Sequence, residues 1–200
     1  MNAYQSMSAI CVSLMFVNLA LVGGEAIATN RTVELLFASP DSTGSVAIGM
    51  AEGTRTVDGG KTSIWDAHTD PGNRKRNQGT FSNQIDGSNP EEADKLQLER
   101  VRKFANKLAW ANPDLTELEL VGGADLYNQA PKAAAVYLDK LEEAKEKGLS
   151  GLEAIVEART NSYITPEGKL DAPGLRNSVD FVRHDQNRRM SEIEKALKNR

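Results

Sequence analysis

Cysteine is all but missing from this 200-residue chain: the only one is Cys11, near the N-terminus. From Thr29 onward there is none, so neither disulfides nor thiolate metal sites can hold that part together. Lys and Arg are absent before Arg31. The stretch MNAYQSMSAICVSLMFVNLALVGGEAIATN instead carries an uncharged apolar run from Ala9 to Val22, then Gly23 and Gly24, then Ala26-Ile27-Ala28, an A-x-A cleavage pattern. Residues 1–28 read as a secretory signal peptide cut after Ala28; the alternative is a retained anchor, for which the apolar run is short. A secreted or periplasmic location follows, with residues 29–200 forming a single domain that has no stable membrane span.

A surplus of basic charge is lacking too. With 24 Lys and Arg against 28 Asp and Glu the net charge is -4, which argues against a broad nucleic-acid footprint. The one dense basic cluster, Arg74-Lys75-Arg76, reads as a solvated turn. There is no phosphate-binding glycine loop, no G-x-G-x-x-G, no G-x-S-x-G elbow and no fixed-period repeat.

What the chain does carry is helical periodicity. Ser39-Pro40 reads as a cap and first helical residue, and Val46, Ala47, Met50 and Ala51 as one apolar face of a helix ending at Gly53. Asn89-Pro90-Glu91-Glu92 opens another, with Val101, Phe104, Ala105 and Leu108 inward. Pro113 and Gly122-Gly123 bracket a short helix, and Pro131 starts one that runs to Gly148. Ser150-Gly151-Leu152-Glu153 has the form of a capping box. A last helix carries Leu175, Val179, Val182, Met190, Ile193 and Leu197. The expected fold is mainly α, with a long, partly irregular or short-β loop region from Thr54 to Gly87 after the first helix. A structureless loop of that length in a compact domain is usually functional or disordered, and Ile64, Trp65, Phe81 and Ile85 favour order.

Glu52 stands out. It closes an apolar helix where the macrodipole is negative and a cation is usual. The helix end and apolar neighbours favour a carboxyl that keeps its proton, as a general acid needs to protonate a glycosidic oxygen. An exposed helix-ending Glu without a role is the plain alternative. Asp66, His68 and Asp70 present three possible metal ligands on alternate residues, but so short a set is equally a turn signature with Pro71-Gly72-Asn73, and no metal is expected.

Ala51-Glu52-Gly53-Thr54 resembles the helix-ending S/A-E-G-T of phage-type endolysins, and more distantly the E-S of goose-type lysozymes and lytic transglycosylases, which have serine where this chain has Gly53. Gly79-Thr80-Phe81-Ser82-Asn83-Gln84 resembles the transglycosylase G-L-M-Q segment at a different spacing. Tyr127-Asn128-Gln129-Ala130-Pro131 is similar to that family's A-Y-N-A-G-P. The three occur in the family's order, between Val46 and Pro131. The resemblance implies a lysozyme-like α domain that cleaves the glycan strands of peptidoglycan; a monomer without a cofactor is expected. It implies Glu52 as general acid and then base, Asp66 or Asp70 as a second carboxylate if one is used, and Gln84, Tyr127 and Asn128 as hydrogen-bonding partners of the sugars. Trp65 would stack on a pyranose ring or pack in the core.

Overall fold

A computed structural model describes residues 31–70, 74–84 and 89–199. The expected signal peptide lies outside this range. The chain is mainly helical. Residues 31–36 form α1, followed by α2 (Thr43–Glu52), α3 (Pro90–Ala111), α4 (Glu117–Gln129), α5 (Pro131–Ala134), α6 (Tyr137–Glu146), α7 (Gly151–Asn161), a 3-10 turn at Pro173–Leu175, and α8 (Val179–Lys198). Between α2 and α3, β1 (His68–Thr69) pairs antiparallel with β2 (Arg76–Asn77), His68 opposite Asn77. Isolated bridges Arg55 to Lys61 and Gln78 to Asn83 order the rest of this region. Among the described residues no helix is long and apolar enough to cross a membrane.

The first helix starts later than Ser39-Pro40 suggests. Those residues form a turn in which the Ser39 N–H donates to Ser42 Oγ at 2.9 Å, and Ser42 occupies the N-cap. Nor does α2 have a single apolar face, since every residue from Gly44 to Ala51 is buried. A helix buried on every side needs neighbours all round, and here α4 and α8 pack against it. Gly53, left-handed at φ 78°, then ends the helix, its N–H bonding Met50 O at 3.0 Å.

Gly122 and Gly123 do not stop a helix; α4 runs through both. They are small because neighbours press on them: a Cβ on Gly123 would come within 2.6 Å of both Leu108 Cδ1 and Tyr137 Cε1. Gly123→Ala is therefore expected to destabilise by about 1–3 kcal/mol despite alanine's better helix propensity, measured as a lowered urea midpoint. A variant as stable as the parent would mean that α3 and α6 give way easily.

The helix from Pro131 is broken into α5 and α6 at Ala135-Val136. Ser150 is the N-cap of α7 but makes no side-chain cap bond, whereas Thr116 and Glu119 form a full capping box at α4. Asn89 caps α3 as expected, accepting from the Glu92 N–H at 2.8 Å. Leu175 belongs to the 3-10 turn, and α8 begins at Val179.

Candidate active site at the end of α2

The buried α2 delivers Glu52 to the edge of the core, where its side chain is 16 % exposed. The cation missing from its last turn comes from α8, 137 residues downstream. Arg188 Nη1 donates to Ala51 O at 2.9 Å, satisfying a carbonyl of the α2 C-terminus, and Arg189 Nη2 donates to Glu52 Oε1 at 2.6 Å. An acid at the negative end of a helix is thus compensated by two guanidiniums from another element. Glu52 has a charged partner rather than the apolar wall expected from its sequence neighbours.

Three separate segments meet at Asn128. Its Nδ2 donates to Glu52 Oε1 and to Phe81 O, both at 3.0 Å, while its Oδ1 accepts from Gln97 Nε2 of α3 at 2.9 Å. The Phe81 carbonyl is placed by a buried framework under residues 79–81. Asp94 accepts from the Thr80 N–H at 2.6 Å and from its hydroxyl at 2.8 Å, and Arg55 and Trp65 also donate to that hydroxyl. Burial raises the Asp94 pKa, outweighing the Thr80 bonds that lower it. Gly79 is left-handed at φ 78°, and a Cβ there would overlap the Asp94 carboxylate.

Behind Glu52 lies a chain of buried charge. Arg189 grips Asp125 with two bonds, Nη2 to Oδ1 at 2.6 Å and Nε to Oδ2 at 2.9 Å, and Arg159 Nη2 reaches Oδ2 at 2.7 Å. Arg159 also donates to Gln186 Oε1 at 2.7 Å and to Gly122 O. Burial pushes the Asp125 carboxyl up, but Arg189 and Arg159 outweigh it and hold the pKa below the ordinary value. Both Glu52 contacts fall on Oε1. Oε2 has no hydrogen-bond partner among the described residues.

Of the other residues singled out from the sequence, Tyr127 stacks on Phe104, ring centroids 4.4 Å apart, beside the Asn128 cluster. Gln84 lies apart, its Nε2 at 3.4 Å from Asp70 Oδ2 at an exposed position. Asp66 is exposed. Trp65 is 5 % exposed, donates to Thr80 and has the Lys61 ammonium 3.2 Å from its ring centroid, so it packs the loop and offers no open face to a sugar. His68 has both ring nitrogens occupied, by Ile64 O at 3.0 Å and Ser82 Oγ at 3.2 Å. No group of three His, Cys, Asp or Glu among the described residues is placed to hold a metal ion.

Arg189, Asp125 and Arg159 are missing from the sequence-based site. A signal was present: Asp125 interrupts the apolar run of α4, and Arg189 lies on the stripe of α8 that buries Val182, Gln186, Met190 and Ile193. Ionisable residues on a buried face need partners.

No family model, curated protein or solved structure matches this chain.

Proposed function

We propose that the protein cleaves the glycan strands of peptidoglycan outside the cytoplasm, as a muramidase or lytic transglycosylase, with Glu52 as general acid and then general base. The observation that carries this reading is the junction at Asn128, where Glu52, the Gly79–Gln84 segment and the Tyr127–Pro131 segment are joined by hydrogen bonds from one side chain. The same three segments carry the resemblance to endolysins and transglycosylases, and nothing in their sequence separation requires them to meet.

Two donors anchor Oε1, which fixes the carboxyl plane and leaves Oε2 to hand a proton to the glycosidic oxygen and take one back. Asp125 is fully buried behind Arg189 and cannot reach substrate. Glu52 is thus the carboxyl offered at this junction, in keeping with the single-carboxylate route, in which the substrate's own N-acetyl group attacks the anomeric carbon. The second reading is a secreted glycan- or protein-binding protein without activity, in which the Glu52–Arg189 ion pair is structural.

Purified chain incubated with peptidoglycan should release muropeptides. Anhydro ends identify transglycosylation and reducing ends hydrolysis; the absence of soluble product would leave the binding reading.

A further inference from the structure

On α4, Tyr127, Asn128 and Gln129 fan out at about 100° per residue. Asn128 meets Glu52, whereas Tyr127 lines a groove of about 800 Å³ along α3. Three cations line that groove, Arg100, Lys103 and Lys107, and no carboxylate does. None of the three forms an ion pair among the described residues, whereas neighbouring Arg102, outside the groove, lies 3.7 Å from Glu34. The rest of the lining is mainly aromatic: the stacked Phe104 and Tyr127 form its wall, and Trp110, 83 % exposed, stands at its end. On a chain of net charge -4, a groove with three unpaired cations and no acid selects an anion. The aromatic faces suit sugar rings and the apolar parts of side chains.

The groove lies next to the Glu52 junction along the chain of two helices: Tyr127 of its lining precedes Asn128, and Arg100 lies one turn of α3 beyond Gln97. Gln97, which donates to Asn128, shares one face of α3 with Arg100, Phe104 and Lys107 at steps of three and four. At 1.5 Å per residue, Phe104 lies about 10 Å along the helix from Gln97. A strand held at Glu52 and running along α3 would have its next units over the cations.

Resting on the glycosidase reading above, we propose that the α3 groove binds the carboxylates of the stem peptides carried by the glycan strand, and so selects peptide-substituted strands over bare ones. Arg100, Lys103 and Lys107 pair with stem carboxylates while Trp110 and Tyr127 carry the sugar and peptide faces.

The test uses the full chain with Glu52→Gln, to prevent turnover, and three probes: soluble peptide-bearing glycan strands, the same strands after amidase removal of the peptides, and a single-stranded oligonucleotide. The parent should bind peptide-bearing strands about tenfold more tightly than bare ones, a preference weakened by salt. Arg100→Ala/Lys103→Ala/Lys107→Ala should abolish the preference and leave the melting temperature unchanged. Trp110→Ala should weaken both strands. Charge-retaining Lys103→Arg/Lys107→Arg should keep the preference. A triple variant that still prefers peptide-bearing strands overturns the assignment. So does an oligonucleotide that displaces the strands and whose binding needs the same cations, which would make nucleic acid the occupant. If the groove fails while the chain with native Glu52 still releases muropeptides, the groove assignment alone is wrong; if the Glu52→Gln chain binds neither strand and the chain with native Glu52 releases nothing, the glycosidase reading falls with it.

Discussion

Glu52→Gln is expected to lower muropeptide release by on the order of a hundredfold or more while leaving the fold intact. The amide keeps the shape of the side chain and removes the transferable proton. Its oxygen can still accept from Asn128 Nδ2 and Arg189 Nη2, and Arg189 keeps both bonds to Asp125, so the buried network does not open. The unfolding free energy should fall only modestly, because the amide oxygen keeps both donors and Asp125 still neutralises Arg189. Parallel measurements of product release and thermal unfolding check both halves. Digestion at the parental rate would leave Glu52 as an ion-paired helix terminus and remove the enzymatic reading. A large loss of stability would instead place Glu52 among the structural charges around Asp125.

The legibility of the site follows from how local each signal is. Caps and turns that depend on adjacent residues are visible in the sequence: Asn89 before Pro90 does cap α3, and Gly53 does end α2. Signals that depend on distant partners mislead. Gly122-Gly123 looks like a stop because glycine breaks isolated helices, yet tertiary contacts from Leu108, Tyr137, Ile155 and Met190 require small residues inside α4. Trp65 looks like a sugar platform in a glycine-rich loop, and the loop folds over it. The same distinction governs Glu52. Its position at the end of an apolar helix is plain from neighbouring residues, but the partners that answer the unfavourable dipole, Arg188 and Arg189, lie 137 residues away. The local reading therefore finds the carboxyl and misses its counter-ion.

Asp125→Asn is expected to have the largest effect on stability of any single change at the site, about 3–5 kcal/mol at neutral pH. The carboxylate is fully buried and neutralises two guanidiniums that are themselves 0 % and 4 % exposed. Replacing such a pair by well-packed apolar groups can be harmless, but removing one partner leaves the other charges stranded in low dielectric, with only Glu52 left to oppose them. The pH dependence supplies a second reading of the same group. Because the folded-state pKa of Asp125 is depressed, its contribution is fully present above the unfolded-state value of about 3.9 and is lost as pH falls through the lower folded value. The parent should therefore lose stability with acid below about pH 4, and the Asn variant, already lacking that contribution, should be less stable at neutral pH and show a shallower acid slope. Urea unfolding midpoints from pH 7 down to the acid limb measure both. Arg189, released from its two-point hold on Asp125, should also position Glu52 less firmly, so that muropeptide release falls even at temperatures where the variant is folded. An Asn variant within about 1 kcal/mol of the parent, with the acid slope unchanged, would mean that Arg159 and Arg189 find other partners, and that the ion chain behind Glu52 does not govern stability.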